Sequence, residues 1–460
     1  MEYDVVIIGA GMSGLAAGIR LAYFDKRVCI VEKHYAFGGL NSYYTIDGRK
    51  FDVGLHAVTN FAPPQRRNAP LNRLLRQLRL SREDFGLRAQ RFSEVRFPQR
   101  CLRFSNDVDL LYEEVAREFP RQIDKFRKLV SIIERYDDSL ANRPRDSARP
   151  FLRDVVGDPV LVEMLLCPVM FYGCADENDM ELGQFVTIFK SIFLEGLARP
   201  REGVRRIIKV LVKRFRANGG KLMMRSGVER LKLSANRVTE VQLESGESIT
   251  AGVVLSSAGY AETMKLCSNP PAGAGVEPGR ISFVEVIAVT DEIPQRLGHD
   301  ATIVFFSDAD RFAYACPDDL VDLRSGIVCC PSNYEGHEDM EEGMFRLTWL
   351  ANCQRWFGLT EAAYREAKKA CYDNFLDVAE RFAPGLRERV LFSDLFTPRT
   401  IRHYTGHING AVYGAPRKTF DGRTPYENLF ICGTDQGYLG IVGAMLSGIT
   451  MANRHVLEVE

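Results

Sequence analysis

Apolar residues near the start of the chain come as one short unbroken run within Asp4 to Ile8. Such a run predicts a strand covered on both faces, as in a parallel sheet between layers. Gly14 to Tyr23 has helix-compatible spacing, and Arg27 to Glu32 repeats the strand pattern, so the first forty residues read as a βαβ unit. From about Asn72 to Ala198 the pattern turns helical. In Arg121 to Tyr136, Ile123, Phe126, Val130 and Ile133 recur at three- and four-residue steps and form one apolar stripe. Val204, Ile207, Ile208, Leu211, Val212 and Phe215 define a second amphipathic helix, which Gly219-Gly220 ends.

Lys221 to Arg225, Arg237 to Leu243 and Ile249 to Leu255 read as short strands, with Ser245-Gly246 as the turn between the last two. Strand-like stretches such as Ile281 to Val289 follow, and Thr360 to Phe382 reads as a helix. The end is a strand at Asn428 to Cys432, a glycine-rich loop from Gly433 to Gly440 and a helix from Ile441 to Val456. At 460 residues the chain is long enough for two interleaved domains.

Equal numbers of Lys+Arg and Asp+Glu, 60 each, argue against a nucleic-acid-coating protein. The eleven cysteines are scattered without a Cys-x-x-Cys pair, so they read as buried thiols and not as a zinc site or disulfide framework. The start shows no secretory pattern and no run reaches spanning length, which predicts a cytoplasmic protein with peripheral membrane contact as an open alternative. Oligomeric state is not legible.

Chemistry concentrates in the glycines. Gly9-Ala10-Gly11-Met12-Ser13-Gly14 is a G-x-G-x-x-G between a strand and a helix. The first glycine permits the turn, the second lets backbone approach a pyrophosphate, the third allows close helix packing, and the helix N-terminus favours the phosphates. Glu32 ends the second strand, placed to accept hydrogen bonds from ribose hydroxyls. Gly38-Gly39-Leu40-Asn41 offers a second close approach, and Gly433-Thr434-Asp435 with Gly440-Ile441-Val442-Gly443 a third, aimed at an extended ligand.

The stretches Glu32 to Asn41 (E-x5-G-G-L-N), Asp47 to His56, Pro200 to Leu231 and Leu429 to Gly448 resemble the flavin amine oxidase superfamily. Within it they look most like the phytoene desaturase, carotenoid isomerase and retinol saturase branch. The resemblance implies an α/β fold: a Rossmann-type, glutathione-reductase-like FAD-binding domain interleaved with a mixed α+β substrate domain. It implies a discontinuous FAD domain from 1–71, 200–275 and 425–460, and a substrate domain from 72–199 and 276–424. FAD would contact Gly9 to Gly14, Glu32, Lys33, Gly38 to Asn41, Gly54, Leu55 and His56. Val228 would lie at the adenine, Ser257 and Ala258 near the dinucleotide, and Gly433 and Asp435 on the ribityl-pyrophosphate part. Gly440, Ile441 and Val442 would face the flavin pyrimidine, where a helix N-terminus stabilises charge on reduction.

The implied function is hydride transfer between a lipophilic, isoprenoid-like substrate and flavin N5. Desaturases of this branch carry consecutive glycines before the last helix. Here Gln436-Gly437-Tyr438-Leu439-Gly440 stands instead, so desaturation, saturation and redox-assisted isomerisation stay open. Two other functions remain on this scaffold: an amine or porphyrinogen oxidase, and a flavin-free prenyl-protein carrier like the GDP dissociation inhibitors. His56 is the candidate for proton transfer, with packing as its competing role. His403 and His407 lack a further ligand, so no metal is expected. Phe185 to Leu194 reads as a core helix, with a tunnel wall or a bilayer contact as competitors, and Lys209, Lys213, Arg214 and Arg216 as a solvated helix face.

Overall fold

The computed structural model describes residues 2–136, 146–268 and 277–458. Five parallel strands form the first sheet, in the order Leu429–Ile431, Ser248–Ser256, Glu2–Ile8, Val28–Val31 and Lys221–Met223. Side chains alternate across it, as the pleat requires. Val5 and Ile7 join a core made with helices Met12–Ala22, Val204–Ala217 and Gly440–Ala452. Val6 and Ile8 join a second core under the meander Val228–Ser234, Arg237–Leu243 and the start of Ser248–Ser256. Burial on both faces is what makes the first strand read as an uninterrupted apolar run.

The second sheet has seven strands, ordered Val390–Phe396, Ser282–Thr290, Gly343–Ala351, Ser325–Cys329, Ile303–Ser307, Ser93–Phe97 and Arg100–Phe104. All its pairings are antiparallel except that of Ile303–Ser307 with Ser93–Phe97. One face carries Val284, Val286, Leu347 and Trp349 against helix Glu361–Phe382. The other faces a helical layer whose longest member among residues 108–189 is Pro159–Gly173.

Several local expectations meet their structure directly. The stripe in Arg121 to Tyr136 is helix Ile123–Arg135, with Phe126, Val130 and Ile133 buried. Phe185 to Leu194 spans helix Leu182–Phe189 and a wider turn at Lys190–Leu194, and the rings of Phe185, Phe189 and Phe193 pack tilted to one another in the helical core, with centroids 5.6 and 4.8 Å apart. Most of that segment is core, with Thr187, Lys190 and Leu194 half-buried. Lys209, Lys213 and Arg216 point to solvent and Arg214 is half-buried. All eleven cysteines are free, nine of them buried. Strand Val228–Ser234 escaped the hydrophobic pattern because it alternates charged, exposed positions with few buried ones, Leu231 alone being fully sealed.

The first and last helices cross at contact distance. A Cβ on Gly448 would stand 2.0 Å from the Ser13 carbonyl oxygen, and one on Gly433 2.9 Å from Ser13 Oγ. Gly448→Ala should therefore force the two helices apart, costing about 1–3 kcal/mol as other overpacked interiors do. Thermal unfolding checks this, with a wild-type melting temperature as the outcome that refutes the contact.

Candidate active site

Both ends of the chain deliver a helix N-terminus to the carboxyl edge of the parallel sheet, where open α/β sheets bind ligands. Helix Met12–Ala22 starts with no side-chain cap and no acidic residue in its first turn, and helix Gly440–Ala452 does the same. Their first N–H groups and dipoles are thus left for an anionic or electron-rich ligand.

The glycines divide as the spacing demands. Gly9 sits at φ +96° with Ser257 Oγ packed over it, and a Cβ on Gly14 would collide with the Gly9 carbonyl at 2.1 Å. A Cβ on Gly11 would meet nothing within 4 Å, which leaves a cradle above the loop. Gly38 donates its N–H to the Ala10 carbonyl at 2.9 Å, so the Gly38-Gly39 turn lies beside the first loop. Gly54 packs against the Leu40 carbonyl, where a Cβ would come within 2.4 Å.

Glu32 accepts the Ala10 N–H at 2.7 Å on one oxygen and the His34 N–H at 2.8 Å on the other. Burial pushes its pKa up against those two bonds. Each oxygen keeps a second lone pair for a ribose hydroxyl. Ser226 donates its N–H to the Glu32 carbonyl, which brings Val228 alongside. Ser257 Oγ donates to the Ile8 carbonyl at 2.9 Å, and Ala258 N–H to Ser256 Oγ at 3.3 Å. Asp435 is buried and accepts the N–H groups of Tyr260 and Ala415 at 2.6 and 2.7 Å, tying two turns together. Lys33 is exposed, whereas Ala10, Met12, Leu55 and Val442 are buried in the core beneath the loops.

A cavity of about 550 Å³ opens beside these segments. Gly39, Leu40, Asn41, Gly54, His56, Gly440 and Ile441 line it, so the structure brings these expected positions together. Its walls are apolar and aromatic, from Phe171, Tyr172, Phe283, Ile327, Val412 and Leu439. Tyr35 and Tyr404, 59% and 45% exposed, stand at the mouth. His403 lies exposed next to Tyr404, and among the described residues no group of three His, Cys, Asp or Glu is placed to hold a metal ion.

The polar part of the cavity is one buried network. His56 Nε2 and Thr348 Oγ1 both lie 3.2 Å from Glu285 Oε2, and Arg346 Nε reaches Oε1 at 2.5 Å. Arg346 also donates to the Leu55 and Val53 carbonyls at 2.9 and 2.7 Å. Arg199 pairs with Asp52 and donates to the carbonyls of Leu55 and His56, while Asp52 accepts the Val204 N–H at 3.0 Å. Burial alone would raise Glu285, but Arg346 and His56 outweigh it and hold the carboxyl at about 2. Burial, helped by Arg346 and Arg199, depresses His56 despite the adjacent carboxylate. The sequence reading missed Glu285, Arg346, Thr348 and Arg199. A usable signal existed: Glu285 and Arg346 are each the only charge in an apolar strand, and a lone charge there needs a partner.

Two uncapped helix starts, an open glycine cradle and an acid with free lone pairs fit an anionic dinucleotide such as FAD. The family described as flavin containing amine oxidoreductase matches residues 12–455, and the chain belongs to it. The protein is an FAD-dependent oxidoreductase. Prolycopene isomerase 2, chloroplastic, of an Oncidium hybrid cultivar is 22% identical, over 98% of this chain and 84% of its own. The neurosporene-forming phytoene desaturase of Cereibacter sphaeroides is 26% identical, over 86% of this chain and 82% of its own. An oxidoreductase structure from Methanosarcina mazei shares the fold with a TM-score of 0.70 at 17% identity, over 98% of this chain and 99% of that one.

Gly11→Val should fold with wild-type stability, because the added side chain meets open space, yet should lose FAD by filling the cradle. Flavin absorbance against thermal melting separates the two effects, and a yellow Gly11→Val protein would refute the placement. Acid should destabilise the protein through two groups. His56 is neutral when folded, so below its ordinary 6.5 the unfolded chain takes the proton first. Glu285 contributes stability above its ordinary 4.5 that is lost as pH falls towards about 2. Denaturant midpoints measured from pH 7 to 3 should fall in wild type, and less steeply in Glu285→Gln.

Proposed function

We propose that the protein carries out flavin-mediated redox chemistry on a lipophilic polyene of isoprenoid type. The supporting observation is the cavity itself: apolar walls run up to the segments that cradle the cofactor, with one buried polar cluster at His56. FAD, when bound, supplies a site that accepts or gives a hydride. Gly9 to Gly14 with Glu32, Lys33, Ser257, Ala258 and Val228 would hold its dinucleotide part, with Gly433 and Asp435 shaping the turn at the ribityl chain. Gly38 to Asn41, Gly54, Leu55 and Gly440 to Val442 would hold the ring. The aromatic walls exclude water and align an extended substrate, which raises the effective concentration of the reacting bond. In this reading His56 moves the proton.

In this reading the FAD domain comprises 1–71, 200–275 and 425–460, and the substrate domain 72–199 and 276–424. Tyr35 and Tyr404 at the cavity mouth suit a cytoplasmic protein that rests on a membrane surface to take up its substrate. Among the described residues no helix is long and apolar enough to cross a membrane.

The test is anaerobic mixing of the yellow holoprotein with phytoene, prolycopene, all-trans-retinol and putrescine in turn, followed by the same panel with the reduced protein. Bleaching, reoxidation or isomerisation with a polyene is expected. Bleaching by putrescine alone would make the protein an amine oxidase instead.

A further inference from the structure

Strands Ser282–Thr290 and Gly343–Ala351 run antiparallel with Glu285 opposite Thr348 and Ile287 opposite Arg346. This register puts three polar side chains on the cavity face of an otherwise apolar pair. Arg346 is fully buried and engages Glu285 Oε1 through both Nε and Nη2. Oε2 is left for His56 and Thr348. An ionised carboxylate only accepts, so both neighbours must donate to it. Thr348 has one hydroxyl proton. Given to Glu285, it leaves the Thr348 oxygen to accept from His56 Nε2, 3.2 Å away. The alternative, an unprotonated Nε2, would set a ring lone pair against the carboxylate. The network is free of conflict only when Nε2 carries the hydrogen.

The backbone of His56 is fixed as firmly as its ring. Its carbonyl accepts from Arg199 Nη1 and Tyr334 Oη, both at 3.1 Å. Nδ1 has no partner among the described residues, yet it is not one of the sealed, unsatisfied polar atoms, and His56 lines the cavity. We infer that Glu285, anchored by Arg346 and assisted by Thr348, positions His56 as the Nε2–H tautomer and so presents an unprotonated Nδ1 to the cavity as the proton acceptor. This rests on the polyene reading for the identity of the proton donor. Desaturation breaks two C–H bonds and forms one π bond. One hydrogen leaves with its electron pair to the oxidant FAD, and the other leaves as a proton to Nδ1, its bonding electrons becoming the π bond. The imidazolium so formed faces Glu285, which stabilises it, against the opposing charges of Arg346 and Arg199. The neighbouring thiol of Cys329 and phenol of Tyr334 are both pushed above their ordinary range by burial and stay neutral.

Proton–nitrogen correlation spectra of the holoprotein labelled with nitrogen-15 histidine read the tautomer directly, and His56→Gln identifies the resonance among seven histidines. Wild type near pH 7 should show a neutral ring with hydrogen on Nε2. Glu285→Gln, whose amide can donate, should invert the tautomer and lower turnover by about 100-fold, within the range of general acid–base contributions, at unchanged KM. Thr348→Val should retain the tautomer. A wild-type ring protonated at Nδ1 overturns the assignment even if Glu285→Gln fails to fold. So does a folded Glu285→Gln protein with wild-type spectrum and turnover. If no polyene in the panel reacts while the spectra are as stated, the substrate reading falls and the positioning of His56 stands.

Discussion

The close crossing of the first and last helices at Ser13, Gly433 and Gly448 is the constraint on which the rest of the molecule depends. A chain of 460 residues must bring its two ends to one ligand, and only residues without a Cβ let the helices meet at backbone distance. Once they meet, both uncapped N-termini lie on the same edge of the parallel sheet. The Gly38-Gly39 turn, bonded to Ala10, then becomes the third side of the grip. The same geometry explains why the strands of the first sheet come from 2–31, 221–256 and 429–431. Everything between is carried on loops leaving that sheet, and the second sheet hangs from them.

Much of this was legible because backbone geometry writes itself into residue choice. Gly9, Gly11 and Gly14 announce a turn, a cradle and a close packing contact by spacing alone, and the structure has a positive φ at Gly9, open space at Gly11 and the Gly9 carbonyl against Gly14. The stripe Ile123 to Ile133 and the face Val204 to Phe215 announce helices through period. The floor of the cavity was not legible, because its logic is one of register. Glu285 and Arg346 are 61 positions apart and face one another only through the pairing of two strands. His56 stood out as a residue, but what holds it came from four distant segments, at Arg199, Glu285, Tyr334 and Thr348. Asp435 was legible as an important acid, though its carboxylate spends two lone pairs on the amides of Tyr260 and Ala415. No local pattern reports such long-range bonds.

The buried ion pair also carries a cost. Taking Glu285 and Arg346 out of water is expensive, and an apolar pair of similar size would often be at least as stable. Its retention in a cavity otherwise walled by Phe171, Phe283 and Ile327 fits a role in fixing one arrangement of the histidine above any role in stability. Arg346 shows how complete the compensation is, since its donors also satisfy the Val53 and Leu55 carbonyls.

The carbonyl of Leu55 has a consequence of its own. Two guanidinium groups converge on it, Arg199 from a short strand paired with Leu87–Ala89 and Arg346 from the second sheet. Arg199 in turn grips Asp52, which holds the start of helix Val204–Ala217. The turn bearing His56 is therefore tied to the second sheet through Arg346 and, by way of Arg199 and Asp52, to the start of helix Val204–Ala217. Tyr35 and Tyr404 both pack against the His34 ring at the exposed edge of the cavity, so this side of it is a single aromatic block.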